Sequence, residues 1–256
     1  MADAPLLDVA GRVILVTGAS SGLGYHFSEV LAARGARVVA VARRMDRLEQ
    51  LRDTVRAGGG AIDVLACDVA DDKSILDTVM QVEEGIGPVD VLVNNAGTSV
   101  PKPFLDQTRA DWDRVLDTNL DGAWLMAQAV ARRMAARGRG SIINISSVAA
   151  LAAFPLAPGY GAAKAALINL TKSMAVALAP MGVRVNVIAP GLFDTELGKD
   201  LKRTPDDRRR RLERIPMARV GEHRELDGAL LLLASDASSY MTGSVIVVDG
   251  GSSVLR

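Results

Sequence analysis

Apolar and β-branched residues gather along the chain in seven short runs: RVILVT (12–17), RVVAVA (37–42), AIDVLAC (61–67), VDVLVN (89–94), SIINIS (141–146), VRVNVIA (183–189) and SVIVVD (244–249). Each has the length of a strand and is apolar at nearly every position rather than at alternate ones. A strand of that kind is covered on both faces, as in a parallel sheet. Longer amphipathic stretches separate the runs and predict helices at about 22–33, 46–57, 72–86, 111–136, 160–179 and 222–234. Gly35, Gly58 and Gly182 stand where several of them should stop. Right-handed crossovers then place helices on both sides of the sheet, giving a doubly wound α/β architecture. Only 192–219, LFDTELGKDLKRTPDDRRRRLERIPMAR, interrupts the alternation, and an insertion there is expected to act as a lid.

No linker or composition break divides the 256 residues, so 1–256 are expected to form one domain. Thirty basic residues balance thirty acidic ones, which leaves no overall field to attract nucleic acid or an anionic membrane. Apolar runs such as ALLLLA (229–234) and VAALAAF (148–154) are too short to span a bilayer. The lone cysteine, Cys67, makes an intramolecular disulfide impossible, and MADAPLLDVAG has no secretory pattern; both point to the cytoplasm. His26 and His223 stand far apart in sequence, and no metal site is expected.

The first strand runs into TGASSGLG, with Gly18, Gly22 and Gly24 ahead of a helix. Glycines there let the backbone approach a pyrophosphate, whose charge the helix N-terminus stabilises. At the end of the second strand an NAD site would carry a carboxylate for the adenine ribose. This chain has Ala42 there, followed by Arg43 and Arg44, which favours NADP and its 2′-phosphate. Asp68 follows the third strand, where it is placed to meet the adenine, and Asn94 and Asn95 in NNAG follow the fourth.

With TGASSGLG, NNAG, INISS, YGAAK and PGLFDT in this order, nearly the whole chain resembles the short-chain dehydrogenase/reductase family. The resemblance implies a Rossmann-type sheet of seven strands and hydride transfer between a nicotinamide and a carbonyl or alcohol carbon. It places a catalytic tetrad at Asn119, Ser147, Tyr160 and Lys164. It also selects Gly18, Ser20, Gly22, Leu23, Gly24, Arg43, Asp68, Val69, Asn95 and Thr195 for NADP(H), with Tyr160 and Lys164 beside the nicotinamide ribose. Tyr160 and Lys164 are one helical turn apart. An ammonium about 4 Å from a phenol, at an effective dielectric near 20, is worth roughly 4 kcal/mol, enough to draw the phenol toward neutral pH.

Val148, Ala149, Phe154, Leu192, Phe193 and Leu197 are expected to line a mostly apolar pocket, which favours a ketone or secondary alcohol with a hydrophobic body. A 3-oxoacyl thioester on acyl carrier protein or coenzyme A is the rival substrate. Gly138 and Met181 fall where carrier-using relatives have basic docking residues, although Arg137 and Arg139 are adjacent. Arg208 to Arg211 offer charge for a carboxylate or phosphate. A non-catalytic dinucleotide-binding regulator is the alternative of another class, disfavoured because tyrosine and lysine are both present. The family's usual homotetramer would pair subunits through the helices containing WLMAQAVARRMAARG and ALINLTKSMAVALAP.

Overall fold

The computed structural model describes residues 6–196 and 205–255. Seven parallel strands form one sheet: β1 (Val13–Thr17), β2 (Arg37–Ala42), β3 (Ala61–Ala66), β4 (Val91–Asn94), β5 (Gly140–Ile145), β6 (Val183–Pro190) and β7 (Val245–Val248). Their order is β3-β2-β1-β4-β5-β6-β7, so the chain reverses direction across the sheet between β1 and β4, which pair through Ile14–Val91 and Leu15–Leu92. Ligands of open α/β sheets bind beyond the carboxyl ends of the strands at such a switch point.

Successive residues of β1 serve opposite layers, as the pleat requires. Ile14 and Val16 join a core with Phe27 and Leu31 of α1 (Gly22–Ala33), Leu48 and Leu51 of α2 (Met45–Ala57), and Leu230 and Leu233 from near the C-terminus. Val13 and Leu15 join the other core, with Ile75 and Val82 of α3 (Asp72–Gly85) and Met126 and Met134 from the helix before β5. The doubly wound expectation therefore holds. Strand bounds agree with the sequence to within two residues. The left-handed turn after α2 falls at Gly59 (φ 79°) rather than Gly58.

Two helices differ from expectation: the stretch read as one helix over 222–234 is a 3-10 turn (His223–Leu226) followed by a helix over Asp227–Ala234, and the other departure is larger. The stretch read as continuous over 111–136 is α4 (Arg109–Leu116), a widened π-type turn (Asp117–Asp121) and α5 (Gly122–Arg137). At the junction Gly122 sits so tightly under the Val69 carbonyl that a Cβ would lie 2.1 Å from that oxygen. The extra residue in the turn carries Asn119 fully inside the protein; such widened turns recur at functional sites. The chain continues through α6 (Pro158–Leu178), α7 (Pro205–Leu212) and α8 (Asp227–Ala234).

Pro158–Met181 is long and apolar enough to cross a bilayer, which the shorter runs picked from the sequence did not reveal. Here it packs against β6 and buries Lys164 and Thr171.

Gly122→Ala should lower stability by about 1–3 kcal/mol, the usual cost of forcing a methyl into filled space. Urea unfolding measures it; an unchanged midpoint would show that the junction is not tightly seated.

Candidate active site

The carboxyl ends of β1, β4, β5 and β6 open into a cleft lined by, among others, Gly18, Ser20, Gly22, Arg44, Asn95, Ser147, Tyr160, Lys164 and Thr195. Two side-chain contacts fix its catalytic corner. Ser146 Oγ at the end of β5 donates to the Lys164 carbonyl oxygen (2.9 Å), and Asn144 Nδ2 donates to Thr171 Oγ1 (2.8 Å), lashing β5 to α6. The small residues of YGAAK permit that approach: a Cβ on Gly161 would lie 3.0 Å from the Ala149 carbonyl oxygen, and Ala163 is fully buried. Tyr160 is thereby carried to Ser147, whose hydroxyl hydrogen-bonds the phenol while accepting from the Ala149 amide (3.1 Å).

Lys164 is almost wholly buried, and its Nζ donates to the Ile145 carbonyl oxygen (2.9 Å). The ammonium lies 5.7 Å from the centre of the Tyr160 ring. Burial draws its pKa down to about 8. The tyrosine differs from the sequence expectation: burial pushes its pKa up, with the Ser147 hydrogen bond opposing, so the phenol keeps its proton in the cofactor-free protein. Desolvation outweighs the Ser147 hydrogen bond, while the nearby Lys164 ammonium gives its own hydrogen bond to a backbone carbonyl rather than to the phenol.

Asn119 stands behind the cleft wall. Its Nδ2 donates to the carbonyl oxygens of Thr98 (2.7 Å) and Val115 (2.8 Å), and its Oδ1, facing Gly97, is buried without a hydrogen-bond partner among the described residues. A buried orphan acceptor of this kind is the place for a bridging water.

The dinucleotide candidates divide by role. Gly18, Ser20, Gly22, Leu23, Arg43, Asp68, Val69, Asn95 and Thr195 all line the cleft. Gly24 does not. A Cβ there would lie 2.5 Å from both the Gly18 carbonyl oxygen and Asn95 Nδ2, so this glycine serves loop packing. Asn95 likewise spends its amide on the loop, donating to the carbonyl oxygens of Thr17 (3.0 Å) and Gly18 (3.3 Å). Gly22 has φ 56°, and no side chain caps the first turn of α1, which also lacks an acidic residue. Free amides at a helix start, serine hydroxyls and two arginines form a donor set that fits a phosphorylated dinucleotide.

Arg43 is mostly exposed, 3.9 Å from the Asp68 carboxylate. Arg44 is the better-held cation, bound to Ser20, Ser21 and Glu196. Glu196, Ser99 and Arg211 also line the cleft, and of these only Arg211 had a sequence signal, the arginine run.

Val148, Ala149, Phe154 and Leu192 form an apolar wall. Phe193 reaches the same cleft but is buried, its ring filling the space above Gly221. Leu197 lies outside the described residues. In α7, Arg209 faces Asp206 (3.7 Å) and Glu213 (3.8 Å). Near the docking positions, Arg137 is tied to Glu83 (2.6 Å) and the Val89 carbonyl oxygen, whereas Arg139 is exposed, 3.6 Å from Asp90.

The two histidines are not isolated. Their ring centres lie 5.5 Å apart, with His26 Nε2 2.7 Å from Asp227 Oδ1 and His223 Nε2 2.8 Å from the Asp194 carbonyl oxygen. They fasten α1 and α8 to the start of the 192–219 segment. Among the described residues no group of three or more His, Cys, Asp or Glu could hold a metal.

Residues 18–253 match the family described as "Enoyl-(Acyl carrier protein) reductase". Gluconate 5-dehydrogenase of Gluconobacter oxydans (strain 621H) is 39% identical over 99% of both chains. The 3-oxoacyl-(acyl-carrier-protein) reductase FabG of Escherichia coli (strain K12) is 36% identical over 96% of this chain and 98% of its own. The crystal structure of a gluconate 5-dehydrogenase from Burkholderia cenocepacia J2315, in complex with NADP and tartrate, superposes with a TM-score of 0.94 at 37% identity, covering 98% of each chain.

Lys164 makes the protein less stable at neutral pH. Its folded pKa, about 8, is below its unfolded value of 10.5, so the full penalty, about 3 kcal/mol, applies below pH 8 and is relieved as pH rises toward 10. Lys164→Met should therefore stabilise the cofactor-free protein by about 1–3 kcal/mol at pH 7, with a gain that shrinks toward pH 10. Denaturation at the two pH values checks this; a destabilised variant at pH 7 would contradict it.

Proposed function

Because the chain belongs to the short-chain dehydrogenase/reductase family, and is an oxidoreductase of CH–OH and C=O groups that uses NADP(H), we propose that Asn119, Ser147, Tyr160 and Lys164 interconvert a secondary alcohol and a ketone with a hydrophobic body. The observation that carries this reading is the convergence of Ser147, a protonated Tyr160 and a buried Lys164 on one cleft.

NADPH, when bound, supplies the hydride. Gly22, Ser20, Arg43, Arg44 and the first amides of α1 would hold its phosphates, Asp68 and Val69 its adenine, and Thr195 and Lys164 its nicotinamide end. Tyr160 Oη donates a proton to the substrate oxygen, and Ser147 hydrogen-bonds the same oxygen as charge develops there. The raised phenol pKa suits the reducing direction, since it keeps the proton available until it is needed. Lys164 then stabilises the phenolate through space. Asn119 Oδ1 would anchor a water through which protons return to the site.

The wall of Val148, Ala149, Phe154 and Leu192 supports an apolar substrate body in a single 1–256 domain; part of the expected 192–219 lid, 197–204, lies outside the described residues. A polyhydroxy acid is a second reading, favoured by the buried Ser99 Oγ, which has no hydrogen-bond partner among the described residues, by Arg211 on the cleft wall and by the gluconate 5-dehydrogenase relatives. A carrier-bound 3-oxoacyl group is less well supported, because Arg137 is already committed to Glu83. Exposed Trp124 on α5 and Val176 on α6 support a homotetramer paired through these helices. A lone buried cysteine and the need for NADPH support a cytoplasmic setting.

Tyr160→Phe should reduce kcat by at least about 100-fold and leave the NADPH dissociation constant within twofold. Wild-type turnover on a cyclic aryl ketone, a keto-gluconate and acetoacetyl-coenzyme A separates the substrate readings, with the first expected to give the highest kcat/KM. Near-normal turnover by the variant would refute Tyr160 as the acid.

A further inference from the structure

Arg44 reaches across the cleft to the 192–219 segment. Its Nη1 and Nη2 each donate to Glu196 Oε2 at 3.2 Å, Nη2 donates to Ser21 Oγ at 2.8 Å, and Nε and Nη2 contact Ser20 Oγ at 3.2 and 3.1 Å. One carboxylate is thus held by a guanidinium fork next to two serine hydroxyls, at the start of a helix whose first turn supplies no anion of its own. Planar forks with neighbouring hydroxyl donors are suited to phosphate monoesters as well as to carboxylates.

We infer that Glu196 is an internal substitute for the cofactor's 2′-phosphate, occupying the Arg44–Ser20–Ser21 anion site in the cofactor-free protein and yielding it when NADP(H) binds. The inference rests on the dinucleotide placement proposed above. Burial disfavours the Glu196 charge, but hydrogen bonds from Ser21 and Arg44 outweigh it and hold the carboxyl below its usual range, so it is anionic at neutral pH. The pair is about half exposed, hence weak enough to exchange for a dianionic phosphate. NAD(H) has a hydroxyl in place of that phosphate and leaves the Glu196–Arg44 contact intact.

Two consequences follow from where Glu196 sits. It competes with NADP(H) alone and so sets part of the affinity difference between the two cofactors. It also directly follows Thr195, whose side chain packs 3.4 Å from where a Cβ on Gly22 would be, so release of Glu196 loosens the segment that contacts the glycine loop.

Calorimetric titration of NADPH and NADH into wild type, Glu196→Gln, Arg44→Ala and the double variant tests the inference. Glu196→Gln should tighten NADPH by roughly three- to fivefold, the size of a lost half-exposed competing ion pair, and change NADH by less than twofold. In the Arg44→Ala background the gain should vanish. Equal tightening of both cofactors, weaker NADPH binding, or a gain that survives loss of Arg44 would overturn it. The same titration on Glu196→Gln combined with Tyr160→Phe isolates the anion site from the chemistry: the NADPH gain should persist although turnover is lost, whereas failure of wild type to reduce any ketone would fault the catalytic reading alone.

Discussion

The site depends on one unfavourable placement, an ammonium inside the protein. Among the described residues Lys164 has the Ile145 carbonyl oxygen as its hydrogen-bond partner and no carboxylate to neutralise it, and burial draws its pKa down to about 8. A carbonyl satisfies one donor of the three an ammonium carries. The remaining capacity is directed toward the Tyr160 ring and the cleft, where a negative charge or a hydroxyl would be welcome. The rest of the fold, with two apolar layers on a parallel sheet and β5 lashed to α6 through Ser146 and Asn144, provides the stability that lets this charge remain buried.

That placement changes how the tyrosine works. Sequence spacing alone suggests an acidified phenol; in the folded chain Tyr160 loses more from desolvation than it gains from the Ser147 hydrogen bond, and it stays protonated. In the proposed reaction the lysine's charge is most valuable after the proton has left, when a phenolate and an ammonium would face each other across a low-dielectric gap. Interactions that strengthen along the reaction are the ones that accelerate it.

Much of the fold was legible because its signals are local. Seven β-branched runs became seven strands, and the glycine loop, the Ser147 turn and YGAAK fell on the carboxyl edge of the sheet as their order implied. What escaped detection depends on contacts between residues distant in sequence. No helical periodicity announces the widened turn at Asp117–Asp121, which exists because Gly122 must pass under Val69 and Asn119 must turn inward. Glu196 meets Arg44 across 152 positions, and His26 meets His223 only once α1 and α8 are in place. The division of labour among the glycines, with Gly24 for packing and Gly22 facing the cleft, likewise follows from the three-dimensional position of Asn95.

The most direct measurement is the titration of Lys164 itself in the cofactor-free protein, by NMR of isotopically labelled lysine side chains with the resonance assigned by its absence in Lys164→Met. A midpoint near 8 is expected. A midpoint at the ordinary 10.5 would mean that the ammonium is adequately solvated or paired, and would contradict the account of the site as a buried charge waiting for its partner.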